Sequence, residues 1–259
     1  MRITVLASGS KGNVSLFEHG TSRVLVDAGL SVRELKVRLA RACVQGAPTA
    51  QVITHAHRDH WANAEAVARH FGIPVFVSEA TRRVIPLTGV SCVCVYSARQ
   101  AFGIGDLELR PQPLPHDAAQ VALRISSRGH AALLATDLGE VTPQLQDLVK
   151  GCEAVLIESN HDTEMLWRGP YPPSLKKRVA SAQGHLSNHQ TRGFLKALPR
   201  EVQTVVLMHL SETNNSPGLA LECAAEALSE HPARLLVASQ TGVTQLATRG
   251  PKQLSLFGP

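Results

Sequence analysis

Seven consecutive residues, Thr54 to His60, hold the densest chemistry in the chain and read THAHRDH. His55, His57, Asp59 and His60 carry the imidazole and carboxylate groups that divalent zinc and manganese take as ligands. His55 and His57 are two apart, so an extended backbone points both rings to one side, where a single ion can take them. Asp59 and His60 fall where the chain turns and can face a second ion. Stepping outward, Gln51-Val52-Ile53 reads as the end of a buried strand, and Trp61 to His70 as a helix with apolar positions at helical spacing. Twelve histidines in 259 residues will sometimes cluster by chance. Ligand type, spacing and the strand-turn-helix setting together favour a metal site over chance, with room for two ions.

A site for two metals needs more ligands than one loop supplies. His116 lies in PLPHDAA, behind two prolines that stiffen the backbone. Strands over Val121 to Ile125 and Ala131 to Ala135, joined through Ser127-Arg128-Gly129, end at Asp137, and an aspartate just past an apolar strand can bridge two metals. Carboxylate there favours harder, oxygen-liking ions. Thr142 to Lys150 reads as a helix and Ala154 to Ile157 as a strand, followed by ESNHD with His161. Lys176, Lys177 and Arg178 precede a loop carrying His185. Ser187 with Gln190 makes a capping box for the next helix. Val202 to Met208 delivers His209, Ser216 and Pro217 start a helix to about Glu230, and Arg234 to Ala238 and Val243 to Ala247 are the last strands.

Earlier in the chain, Arg2 to Leu6, Val14 to Glu18 and Arg23 to Val26 read as strands around the turn ASGSKGN, whose small residues could let backbone amides approach an anion. Ser31 to Arg41 is a basic amphipathic helix whose charges are expected in solvent. Further strands are expected at Pro74 to Val77, around Cys92 to Tyr96 and at Leu107 to Arg110, with a short helix from Ser78. The hydrophobic fraction of 44% and the length suit one α/β core. No apolar run is long enough to span a membrane, and the amino terminus lacks the signal-peptide pattern, so a cytoplasmic protein is expected. The five cysteines lack metal or redox spacing and are expected to be small buried residues. A net charge of +5 leans toward anionic partners without proving nucleic-acid binding.

His-x-His-x-Asp-His after an apolar strand resembles the metal motif of the metallo-β-lactamase superfamily. LASGSKGN at Leu6 to Asn13, PHDAA, ATDLG, ESNHD, the GPYPPSLKKR to GHLSN block and HLSETNN at His209 to Asn215 extend the resemblance to the YycJ (WalJ) branch, a group of bacterial DNA exonucleases. The resemblance implies a single-domain α/β protein, an αββα four-layer sandwich over residues 1–247, followed by a tail at 248–259. It implies that one metal, Mn²⁺ or Zn²⁺, takes His55, His57 and His116, that another takes Asp59, His60 and His209, and that Asp137 bridges them, while Asp27 braces the metal loop. Gln120-Val121-Ala122 departs from the family pattern, which has a proline and a glycine there.

The implied activity is two-metal 5′ to 3′ DNA exonucleolysis. Two ions roughly 3.5 to 4 Å apart lower the pKa of a shared water to about 7 and clamp a phosphate for in-line attack. His185 is the candidate proton donor or phosphate contact and His161 the alternative. Ser10, Asn13 and Asn214 are candidates either to support the ligands from behind or to contact substrate, and Lys176 and Lys177 are further candidate substrate contacts. The tail residues Gln253, Leu254, Leu256 and Phe257 resemble the peptide by which bacterial replication and repair proteins dock on the sliding DNA clamp, which would place the activity in replication or mismatch repair. The competing readings are a phosphodiesterase for small cyclic or nucleotide substrates, an RNA nuclease on the same fold, and a non-catalytic clamp-binding protein.

Overall fold

Alternating side-chain directions along the strands sort the apolar residues into three cores, and those cores define the layers. In the computed structural model, which describes residues 1–248, the first sheet is built from β1 (Arg2–Ala7), β2 (Val14–His19), β3 (Ser22–Val26), β4 (Ala50–Ile53), β5 (Val75–Ser78) and β6 (Val93–Tyr96). The second is built from β7 (Phe102–Ile104), β8 (Leu107–Leu114), β9 (Gln120–Ser127), β10 (His130–Ala135), β11 (Ala154–Glu158), β12 (Thr204–Met208) and β13 (Arg234–Val237). A last strand, β14 (Thr244–Ala247), returns to pair antiparallel with β1 on the first sheet.

Ile3, Val5, Val24 and Val26 of the first sheet meet Leu123, Ile125, Leu134 and Leu156 of the second in the central core. Their neighbours Leu6, Leu16, Leu25 and Ile53 face outward onto α1 (Val32–Arg41) and onto α3 (Ala64–Phe71), which follows the single-turn α2 (Arg58–Trp61). A short α4 (Glu79–Val84) follows β5. On the other side Leu133, Val155, Ile157 and Leu207 face α5 (Pro143–Leu148), α8 (Asn188–Lys196) and α9 (Pro217–Ala227). Two further short helices, α6 (Thr163–Arg168) and α7 (Pro173–Val179), lie between β11 and α8 in sequence. The layers are therefore helix, sheet, sheet, helix, as expected. Burying a side chain such as Phe17, fully enclosed in the central core, contributes about 1.5–3 kcal/mol.

Several local expectations are corrected. The helix expected over Trp61 to His70 breaks at Asn63, whose backbone N–H donates to the Ala28 carbonyl and whose amide donates to the Gly29 carbonyl. Arg38 of α1 is buried, donating to the carbonyls of Leu6 and Gln240. Of the cysteines only Cys152 is buried, while Cys43 and Cys92 are exposed. Strand β8 runs past Arg110 through Pro111 and Pro113, because β7 pairs only with Leu107–Leu109 and leaves an unpaired edge where a proline lacking its N–H is tolerated. The tail residues Gln253, Leu254, Leu256 and Phe257 lie outside the described residues.

Candidate metal centre

The carboxyl ends of β3, β4, β10, β11 and β12 meet on one edge of the sandwich. Asp27 follows β3 in a left-handed conformation, φ 65°, and spends its carboxylate on the metal loop. It accepts from the Thr54 backbone N–H at 2.9 Å and the Thr54 hydroxyl at 3.0 Å, and from His60 Nδ1 at 2.8 Å. The Thr54 proton is thus committed to Asp27, so Thr54 Oγ1 accepts from His55 Nδ1 at 3.1 Å. His57 Nε2 lies 3.0 Å from Asp117 Oδ1. Each ring gives its outer N–H away, leaving an inward lone pair on His55 Nε2, His57 Nδ1 and His60 Nε2.

The second sheet repeats the device with different residues. His116 Nδ1 donates to the Gly184 carbonyl at 3.0 Å. Asp137 and His209 end β10 and β12 in left-handed conformations, φ 58° and 53°. Such backbone is costly for residues other than glycine and is held only where its surroundings enforce it. Glu158, fully buried at the end of β11, takes His209 Nδ1 at 2.8 Å and His185 Nδ1 at 2.9 Å on one oxygen. Its other oxygen accepts from the backbone N–H groups of Leu138 and Leu186. With both oxygens committed, Glu158 orients two histidines and is not free to bind a cation itself.

The inward lone pairs converge. His57 Nδ1 and His116 Nε2 are 3.2 Å apart, His60 Nε2 and Asp137 Oδ2 3.1 Å, and His209 Nε2 and Asp59 Oδ2 3.5 Å. Acceptors facing one another at such distances repel unless a proton or a cation lies between them. His55 Nε2, Asp137 Oδ2 and His209 Nε2 are buried without a hydrogen-bond partner, at a cost of about 1–3 kcal/mol each if left so. Two divalent cations fit this donor set. His55, His57, His116 and Asp137 form one group and Asp59, His60 and His209 another, with ligand atoms within 4.8 Å of one another in each. Asp137, which faces His60, also touches the second group. All seven expected ligand residues are thus brought together.

The electrostatics agree. Burial alone would lower His209, but the carboxylates of Asp137, Asp59 and Glu158 around it lift it to about 10. His60 is raised against the same burial by Asp137 and Asp27. Burial opposes ionisation of Asp59, yet His209 and His60 hold its carboxyl well below the usual range. His55, desolvated and beside His60, is lowered. Protons therefore occupy the second group in the absence of metal, and a cation must displace them.

Other expected residues fall elsewhere. Asn13, 5% exposed, places its Nδ2 3.1 Å from Asp59 Oδ2 and 2.9 Å from His60 Nε2, where it covers part of the second ligand group, and binds the backbone of Gly9, so it braces the ligand loop and does not face substrate. His161 and Asn214, 3% and 1% exposed, are enclosed by the loops around β11 and β12 and are likewise not open to substrate. Ser10 is exposed, as is Lys177, and Lys176 donates to the Trp167 carbonyl. His185 lies beside Asp137 and Glu158 at the edge of the centre. Sequence reasoning missed Glu158 and Asp117; the signal for the first was an acid closing the otherwise apolar AVLIE strand. Gln120, at the family departure, is buried and ties β9 to the Thr136 carbonyl at 2.6 Å, next to Asp137. A cleft of about 740 Å³ lined by Val95, Pro113, Pro115 and Ala118 opens beside His116 and Asp117.

The fold and the paired ligand groups define a metal-dependent hydrolase of the metallo-β-lactamase fold. A family model described as a beta-lactamase superfamily domain matches residues 22–210. Exodeoxyribonuclease YycJ of Bacillus anthracis is 31% identical over 237 residues, covering 89% of this chain and 90% of the relative. Exodeoxyribonuclease WalJ of Streptococcus pneumoniae is 31% identical over 230 residues, covering 85% of each. The chain belongs to the beta-lactamase superfamily and, within it, to the YycJ/WalJ branch. Among solved structures, the metallo-β-lactamase fold protein YhfI from Bacillus subtilis superposes with a TM-score of 0.72 at 15% identity, covering 94% of this chain and 98% of that one. Zn²⁺-bound PqqB from Methylobacterium extorquens gives 0.70 at 14%, covering 95% and 100%. At these identities the two structures establish the fold alone. No helix among the described residues is long and apolar enough to cross a membrane.

Proposed function

We propose that the protein is a two-metal 5′ to 3′ DNA exonuclease. The observation that carries this reading is the convergence of seven ligand side chains, with the histidine rings turned inward by their outer hydrogen bonds, in a chain whose relatives are named exodeoxyribonucleases. When bound, a pair of Mn²⁺ or Zn²⁺ ions supplies an activated water and offsets charge on the phosphate under attack. The chain's own residues do the rest. Asp27, Thr54, Asp117, Glu158 and Gly184 fix the ring orientations of the ligands. His185 is raised because Glu158 and Asp137 outweigh its burial, which favours the protonated ring that a donor needs. With Nδ1 committed to Glu158, its Nε2–H is the donor to the leaving oxygen. In this reading Lys177 and Lys176 on α7 and the exposed Ser10 contact the flanking phosphates of a strand.

The same reading assigns Gln253, Leu254, Leu256 and Phe257 to the sliding clamp, with Leu256 and Phe257 as the apolar anchor, and places the activity in replication or mismatch repair. A micromolar peptide suffices there, because a domain already on DNA raises the effective concentration. The test is digestion of duplexes with one blocked end, under manganese and under zinc. Shortening from the open 5′ end, lost in Asp59→Ala, is expected; intact DNA under every metal would overturn the proposal.

A further inference from the structure

Among the described residues, the large apolar side chains left exposed are Val37, Val84, Val95, Trp167 and Leu219, and only Trp167 is aromatic. It sits on α6 with 49% of its surface in solvent, while Leu166 beside it is buried and anchors the helix. A tryptophan face open to water on a domain with a well-filled core asks for a ligand. Its surroundings name the chemistry. Arg168 follows it with a side chain 81% exposed, paired to Glu164 of the same helix. Lys176 of α7 donates to the Trp167 carbonyl at 2.7 Å, which holds α7 against the end of α6. Lys177 is exposed and has no partner among the described residues. The patch joins an aromatic plane to cations, the combination that holds single-stranded nucleic acid by stacking bases and tracking phosphates.

The patch is also tied to the metal centre. Arg178, one residue past Lys177, donates Nε to Asp117 Oδ2 at 2.7 Å, and Asp117 Oδ1 is 3.0 Å from the ligand His57. At its other end α6 begins at Asp162, four residues beyond Glu158. A strand whose scissile phosphate lies at the metals would therefore meet Trp167 after a short run along α7.

We propose that Trp167 is a base-stacking platform that grips a single-stranded stretch of the DNA substrate, with Lys177 taking an adjacent phosphate. This rests on the nuclease reading for its substrate, but its test separates the two. The chain has two tryptophans, and Trp61 is held by a hydrogen bond to the Ala56 carbonyl, so intrinsic fluorescence can be assigned by substitution. With metals chelated to prevent cleavage, an oligothymidylate should quench the wild type and Trp61→Phe, and should leave Trp167→Phe fluorescence unchanged. With metals present, Trp167→Ala should raise KM for DNA bearing a single-stranded end roughly tenfold, within the range that stacking one base supplies, with little change in kcat. Trp167→Phe should recover most of that loss. Lys177→Ala should lower the dependence of log affinity on log salt by about one. Quenching that survives in Trp167→Phe, or an unchanged KM in Trp167→Ala, would overturn the platform. Intact DNA with wild-type protein would overturn the nuclease reading while the quenching experiment still decides the platform.

Discussion

The two sheets each bring an apolar strand to an aspartate, one further residue and a glycine, at Asp27-Ala28-Gly29 and at Asp137-Leu138-Gly139. Both aspartates take left-handed backbone, and both glycines stand where a side chain would strike a passing loop. A Cβ on Gly29 would come within 2.0 Å of the Asp59 carbonyl, and one on Gly139 within 2.2 Å of Ala182. The loop passing Gly29 carries four ligands in sequence; the one passing Gly139 leads into His185. The same local construction thus serves opposite purposes. Asp27 stands behind the ligands as a hydrogen-bond acceptor, whereas Asp137 points into the centre between them. The first sheet delivers its ligands from one compact loop, while the second delivers them one per strand end, with Gly184 holding His116 and Glu158 joining His209 to the neighbouring His185.

Exchanging the roles of the two aspartates is the hardest test of that contrast. Asp137→Ala should reduce hydrolysis by roughly three orders of magnitude or more, since it faces both ligand groups, and elemental analysis should find less than two metals per chain. Asp27→Ala leaves every ligand in place and should cost about 10–100-fold in metal affinity, the range for groups that orient ligands. If both variants lose metal equally, the two aspartates are not different in kind.

Glu158→Gln should fall between them and carry a signature that Asp27→Ala lacks. It loosens His209 and removes the charge that raises His185, so the alkaline limb of the activity profile should move to lower pH. A profile that drops in height without moving would remove His185 from the proton-donor role.

Metal-free protein should show the two kinds of group separately. Glu158, held down to about 2 against burial by His185 and His209, stabilises the fold above its unfolded value of 4.5, and this is lost as pH falls through 2. His209, held at about 10, stabilises the fold below its unfolded value of 6.5, and this is lost as pH rises through 10. Chelated protein should therefore have its highest Tm between about pH 4.5 and 6.5. Loaded protein should do the reverse on the alkaline side, because cations bind the deprotonated histidines more tightly. Superimposable Tm curves with and without chelator would contradict both.

The smallest effects should be equal in the two halves. Ser31 caps α1 and Ser187 caps α8, the latter in a full capping box with Gln190. Replacing either with alanine should cost about 1 kcal/mol, or about 2–4 °C in Tm.

This contrast also explains what the sequence made legible. Four ligands within six residues advertise themselves, and the strand-turn-helix around them follows from periodicity. His116, Asp137 and His209 are separated by whole elements, and their convergence depends on the pairing of β10, β11 and β12, which no local pattern encodes. Glu158 was hidden for the same reason, since its partners His185 and His209 lie 27 and 51 residues away. The sequence leaves Asn13 and Asn214 open between supporting the ligands and touching substrate, and the loops that pack over them decide for the former. A basic amphipathic helix normally turns its charges outward, but the Leu6 and Gln240 carbonyls beneath Arg38 accept its guanidinium and hold it inward.

Strand β14 runs antiparallel to β1, and Thr248 closes on Met1 through its backbone N–H, at the pole of the sandwich opposite the one where Ser8 meets His209. Four residues, Arg249 to Lys252, stand between Thr248 and Gln253 in the sequence, so the chain can reach at most about 18 Å from that pole. Whatever holds those last residues is thereby kept near the pole that Met1 and Thr248 share, away from the one where the ligand groups gather.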